Sequence, residues 1–194
     1  CQFAAQQVNR QHVPGQQIGT DFTVVCFCHA LQAAYRTLEH RLGDQEVSGQ
    51  RLGLQLQVLE TSIDRLTDEL LSGEPEQRLR AARDQALILL GFWRGYRSDE
   101  LCRLQIEDIV VRPGVGMSLY LPRSKGDREN LGQTYQTPAL LKLCPVQAYI
   151  DWITEAALVR GPVFRGIDRW GHLSDEGLHA NSVIPLLRQA LERA

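Results

Sequence analysis

Two short stretches of this chain set cations beside backbone features that could hold them against an anion. The first is Gly95-Tyr96-Arg97-Ser98-Asp99-Glu100-Leu101. An apolar helix is expected to stop at the glycine and a new helix to start just after it, so Arg97 lies in a turn fixed from both sides. A guanidinium held there can grip an anion in two places, beside the free N–H groups of the following helix. Glu100, in that helix's first turn, can bond the turn and fix Arg97. An ordinary capped surface turn has the same pattern. The second stretch is Pro122-Arg123-Ser124-Lys125-Gly126-Asp127-Arg128. Cations on a hairpin tip can reach a groove or touch phosphates, and a lysine there can give a proton to a leaving oxygen. A solvated hairpin loop fits this composition too.

The elements that must carry these residues follow from periodicity. Leu56, Leu59, Ile63, Leu66 and Leu70 recur at spacings of three and four from Leu54 on, an amphipathic helix stopped by Ser72-Gly73-Glu74-Pro75. A second helix is expected from about Glu76 to Trp93. Its start is charged (Arg78, Arg80, Arg83, Asp84), and Ala86 to Trp93 is apolar all round, as in a central buried helix. A short helix from Ser98 or Asp99 to about Leu104 comes next. The period then changes. Ile109–Val111, Met117–Leu121 and Thr134–Thr137 read as strands, with a turn at 112–116 and a polar loop from Pro122 to Gln133. Helices resume at Cys144–Ile153, with Pro145 suited to a first turn, and at Asn181–Arg193, capped by Asn181 or Ser182. Gly161-Pro-Val-Phe164 is a short extended piece. Upstream, Asp21–Leu42 reads as a helix capped by Thr20 or Asp21, and residues 43–53 as a linker. The expected fold class is α+β, mainly helical, with a small three-stranded antiparallel sheet packed against helices.

Composition sets bounds. With 194 residues, 43% of them hydrophobic, the chain can bury a sizeable core. No apolar run approaches the ~20 residues of a membrane span, and no secretion signal is visible at the N-terminus. The net charge of −2 argues against a bulk electrostatic binder of nucleic acid, while leaving room for a local basic face. Only Lys125 and Lys142 are lysines; the other cations are arginines, which suit forked phosphate contacts but also follow from a GC-rich genome. Cys1, Cys26, Cys28, Cys102 and Cys144 match neither a disulfide framework nor a zinc site and read as buried free thiols of a cytoplasmic protein. His29, His40, His172 and His179 are too scattered for metal ligation. Trp93 and Trp152 read as core, and Trp170 as a loop residue at the surface or in a contact.

Taken together and in order, these features resemble the tyrosine recombinase (phage integrase) family. The residues that carry the resemblance are Leu87-Ile-Leu-Leu-Gly-Phe-Trp-Arg-Gly-Tyr-Arg97-Ser-Asp-Glu100-Leu-Cys-Arg-Leu-Gln-Ile-Glu-Asp108-Ile, then Lys125 between the second and third strands. Thr137-Pro138, Cys144-Pro145-Val-Gln-Ala-Tyr and Gly-Pro-Val-Phe164 continue it, over roughly residues 52–194. The resemblance implies DNA strand cleavage by a tyrosine hydroxyl through a 3′-phosphotyrosine, with rejoining and without cofactor or metal. It makes Arg97 a catalytic grip on the non-bridging oxygens, Lys125 the general acid for the 5′-oxygen, and Glu100 a support for Arg97. Arg94, Arg123 and Arg128 would contact DNA. The partners implied are double-stranded DNA and further recombinase protomers in a homo-oligomer on that DNA, with no membrane, in a bacterial cytoplasm at the nucleoid.

Departures from the family pattern are equally definite. Its second box, His/Lys-x-x-Arg after the last expected helix, is absent: His172 is followed by Asp175 and His179 by Ser182 at that spacing, and Lys125-Gly-Asp-Arg128 lies in the earlier hairpin. Tyr96, Tyr120, Tyr135 and Tyr149 all precede the helix that leads into that box, so none suits the nucleophile. The resemblance therefore reads residues 51–194 as the truncated first part of a catalytic domain, incomplete and inactive alone. Residues 1–50 form a helical segment where the family has a core-binding domain, but Ile18 to Gln50 does not match that domain's pattern. A non-catalytic DNA-binding module and a protein-interaction module derived from the same fold are the competing readings. Truncation further predicts an exposed apolar patch on helix 78–95 through which chains could pair.

Overall fold

The computed structural model describes residues 48–123 and 132–192, with side chains described from Gln57 onward. The readings for residues 1–47 lie outside these. The first helix, α1 (Ser48–Ser72), ends at Gly73, where a Cβ would stand 2.4 Å from the Glu69 carbonyl oxygen. It starts earlier than the pattern predicted, so residues 48–53 of the expected linker are helical. Helix α2 (Pro75–Arg94) opens with Pro75 in its first turn, and the Glu74 N–H donates to Gln77 Oε1 at 3.2 Å. It stops at Gly95, which adopts a left-handed conformation (φ 66°, ψ 32°) and donates its N–H to the Gly91 carbonyl at 2.8 Å. Any residue with a Cβ would be strained there.

Helix α3 (Ser98–Arg103) and a 3-10 turn at Ile106–Asp108 lead into β1 (Ile109–Arg112), β2 (Gly116–Leu121) and β3 (Gln133–Pro138). These three strands form an antiparallel sheet in the order β1-β2-β3, with Leu119 paired to both Ile109 and Tyr135. Gly116 permits the closest approach in the sheet: a Cβ there would lie 2.6 Å from the Thr137 carbonyl oxygen. Met117, Leu119, Leu121 and Thr137 point inward and are buried, while Val110 and Tyr120 stand on the outer face. The expected α+β class with a small three-stranded antiparallel sheet among helices is what the chain forms.

Helix α4 (Pro145–Glu155) begins as Pro145 suggested, with the Cys144 sulfur as its cap, accepting from the Gln147 N–H. Cys102 and Cys144 are free thiols, half-buried rather than buried as expected. A second hairpin, β4 (Arg165–Ile167) with β5 (Leu173–Gly177), was not legible in the sequence beyond an extended Gly161–Phe164. Both strands are short, β4 half-buried along its length and β5 mostly exposed, so no alternation of apolar residues marks them. The chain ends in α5 (Ala180–Glu192), which contains Pro185 and starts one residue before the predicted cap.

The core lies around α2. Ala81, Ala82, Ala86 and Leu87 to Leu90 are buried beneath α1, α4 and α5. The expected apolar patch on this helix is therefore not seen. The large exposed hydrophobics among the described residues are Leu71, Val110, Val115, Tyr120, Leu141, Val159 and Trp170, none of them on α2. Phe92 and Trp93 at its end are half-buried, which corrects the reading of Trp93 as core; Trp152 is fully buried. The Trp152 indole N–H donates to the Val163 carbonyl at 2.7 Å, tying α4 to the segment before β4.

Two expectations follow from this core. Trp152→Phe should leave a buried carbonyl without its donor and lose ring volume, costing about 2 kcal/mol in urea denaturation. The second concerns alkaline pH. Burial, then the nearby Glu107 carboxylate, pushes the Tyr149 hydroxyl from 10.0 up to about 12. Burial, then Asp99, pushes the Cys102 thiol from 9.0 up to about 11. Both groups hold their proton more tightly when folded. Their contribution is fully present below the unfolded values and is lost as pH rises through the folded ones. Denaturation midpoints should fall between about pH 9 and about pH 12, and less so in Cys102→Ala.

Candidate phosphate-binding site

Arg97 sits at the head of α3, in extended conformation (φ −72°, ψ 154°), immediately after the left-handed turn at Tyr96's predecessor Gly95. The Glu100 carboxylate folds back on the turn. One oxygen accepts the Arg97 backbone N–H at 2.9 Å, and the other accepts the guanidinium at 3.1 Å. The Glu100 side chain is 5% exposed and that of Arg97 27% exposed. A carboxylate this deeply placed needs its charge and lone pairs matched, which ties the direction of Arg97 to the turn. Glu100 and Arg97 are thus joined by two direct hydrogen bonds. The carboxylate takes one face of the guanidinium, and the accessible remainder is what an anion could reach.

Arg94 does not extend freely from the end of α2. Its guanidinium carbon stands 4.7 Å from the centroid of the Tyr135 ring on β3, with Nε buried and without a hydrogen-bond partner. Tyr96 meets the same ring edge-on, at 5.7 Å between centroids and 87° between planes. The Tyr96 hydroxyl is buried beside the Arg94 guanidinium. Burial holds this phenol well above its ordinary range, and the Arg94 charge opposes that only in part. Sequence reading had no hint of this cluster. Tyr135 shows only as one inward position of an expected strand, and nothing in the order of residues sets it against Arg94.

Arg123 is exposed just past the end of β2. Lys125 and Arg128 lie in 124–131, outside the described residues. The remaining cations largely serve the fold. An Arg65 amine donates to the Ala190 carbonyl at 2.8 Å, joining α1 to α5. Arg78 meets Glu155 at 2.8 Å, joining α2 to α4, and Arg80 reaches the Asp168 carbonyl at 2.6 Å in the second hairpin. Arg83, 5% exposed, pairs with Asp84 at 2.8 Å. Trp170 is exposed at that hairpin's tip, under the Arg169 guanidinium at 4.0 Å. Asp168 closes the tip by accepting the N–H groups of Trp170 and His172 at 2.8 and 2.9 Å. Among the described residues no cluster of His, Cys, Asp and Glu is arranged to hold a metal, and no helix is long and apolar enough to cross a membrane.

No family model matches the chain, and no solved structure matches it. Among curated proteins it is similar to an integrase/recombinase xerD homolog from Selenomonas ruminantium, 34% identical over 116 residues. The match takes in 59% of this chain and 34% of that relative, so the similarity spans about a third of the relative's length. The chain is thus distantly and partially similar to a member of the tyrosine recombinase/integrase family.

Proposed function

We propose that this chain is part of a tyrosine recombinase, in which Arg97 holds the scissile phosphate of double-stranded DNA. The observation that carries the reading is a partly accessible guanidinium locked by a buried carboxylate between two helices. The partial likeness to an integrase/recombinase homolog supports it. In the reaction, a tyrosine hydroxyl attacks phosphorus and forms a phosphotyrosyl bond to the 3′ end. The bond to the 5′ oxygen breaks, and that oxygen takes a proton. Charge builds on the non-bridging oxygens as this happens, and a fixed guanidinium stabilises it without reorganisation. Lys125 is the donor of the proton to the leaving 5′ oxygen. Rejoining runs the same steps backwards with a second strand's hydroxyl, and protomers assemble on the DNA for the exchange.

The nucleophile is not assigned within the described residues. Tyr96 and Tyr149 are buried, and Tyr135 faces Arg94 and Tyr96. On this reading the described residues supply the phosphate-holding part of the reaction machinery. One observation favours a second reading, a protein-interaction module on the same fold. The net charge is −2, and several arginines are spent on internal contacts, leaving little diffuse attraction for DNA.

Binding of the chain to duplex and branched DNA across a salt series separates the two. Expected is salt-sensitive binding that weakens about tenfold in Arg97→Ala, with the slope of log affinity against log salt falling by about one. Lys125→Ala should weaken binding less, since a proton donor acts mainly in the reaction. Absence of binding at low salt, or binding indifferent to Arg97→Ala, would sink the phosphate reading and leave the interaction module.

A further inference from the structure

Glu100 bonds Arg97 from within α3, and a second group of side chains gathers at the residues that lead into the same turn. Arg94 ends α2, Tyr96 is joined directly to Arg97, and Tyr135 lies on β3. The Tyr135 ring receives the Arg94 guanidinium on its face at 4.7 Å and the Tyr96 ring at its edge at 5.7 Å. Tyr135 is itself oriented by its hydroxyl, which donates to Gln133 Oε1 at 2.8 Å along the strand.

This arrangement goes beyond what filling the space requires. Arg94 Nε is buried without a hydrogen-bond partner and the Tyr96 phenol is held in the interior beside the Arg94 charge, a cost that aliphatic side chains in the same places would avoid. In return, a cation over an aromatic face and an edge-to-face ring pair have preferred directions, which aliphatic contacts lack. Arg94 and Tyr96 flank Gly95, the one left-handed residue of the turn. Holding both neighbours against a single strand residue sets the rotation of the chain as it enters Arg97.

We propose that Arg94, Tyr96 and Tyr135 are positioning residues that set the direction of the Arg97 guanidinium from strand β3. The proposal rests on the reading of Arg97 as the phosphate grip, and it assigns Arg94 a role in bracing that grip instead of a direct hold on DNA. The sheet thereby becomes part of the site without presenting a group to the phosphate. Losing the ring face of Tyr135, or the charge of Arg94, releases Arg97 while the core around α2 stays intact.

The test follows the Arg97 Nε–H resonance in the free chain, assigned by its loss in Arg97→Ala, with the Trp152 indole resonance reporting the fold. In Tyr135→Leu and in Arg94→Met the Arg97 signal should shift or broaden while the Trp152 signal stays. Tyr135→Phe, which keeps the ring, should restore it. In duplex binding, Tyr135→Leu should lose about fivefold or more in affinity, and the double variant with Arg97→Ala should be no weaker than Arg97→Ala alone, because coupled residues do not add. An Arg97 signal unmoved in both variants, or fully additive losses, overturns the proposal. If the wild type binds no DNA, the phosphate reading fails, and the resonance still decides whether these residues position Arg97. Should Tyr135→Leu lose the Trp152 signal by unfolding, Arg94→Met carries the same decision.

Discussion

The apolar second half of α2 constrains everything else in this fold. Leu87, Ile88, Leu89 and Leu90 follow one another on a helix, so apolar side chains point in every direction, and no single neighbour can cover them. Helices α1, α4 and α5 close around α2. The helix then ends at the one residue that takes a left-handed turn without strain, and Arg97 emerges two positions later. A helix with a deeply buried second half thus leads directly into the turn that carries Arg97.

Arginine has two uses in this molecule, and the distinction bears on the field it presents outside itself. Arg65, Arg78 and Arg80 bridge elements that are far apart in sequence, and Arg83 is buried beside Asp84. The planar fork with several donors suits such bridges, since one side chain can satisfy carbonyls and carboxylates without further groups. Cations committed to internal partners contribute little field outside the protein. A site that works here must rely on a few fixed charges at short range, which is the character of Arg97 with Glu100 beneath it.

Glu100 illustrates why position matters more than charge count. A carboxylate next to an arginine lowers the local net charge and would weaken a purely electrostatic grip. Buried and doubly bonded, it holds the guanidinium in one direction, and direction is what stabilises charge that develops on particular oxygens. The Arg94–Tyr135–Tyr96 cluster joins the residues on either side of Gly95 to β3, next to the turn that Glu100 holds.

Much of the architecture was legible from local pattern. The spacing of Leu59, Ile63 and Leu66 marks α1, Pro75 and Gly95 bracket α2, and alternation marks β2, because each signal arises within a few residues of the element it describes. The Arg97–Glu100 pairing was legible for the same reason, as a contact within a single turn of chain. Other features depend on packing between distant segments, and no local pattern records them. The β4–β5 hairpin has little apolar alternation and is anchored by Arg80 from another element. The cover over α2 was expected to be incomplete because the chain reads as truncated, and sequence alone does not show which faces α1, α4 and α5 present to it. By itself the sequence determined the order of the helices around α2 and of the three-stranded sheet, and that Arg97 stands in a turn beside Glu100. Only the tertiary structure decided that Tyr135, some forty residues away, meets Arg94 and Tyr96 at that turn, because through-space stacking of side chains is set by how the sheet docks on the helices.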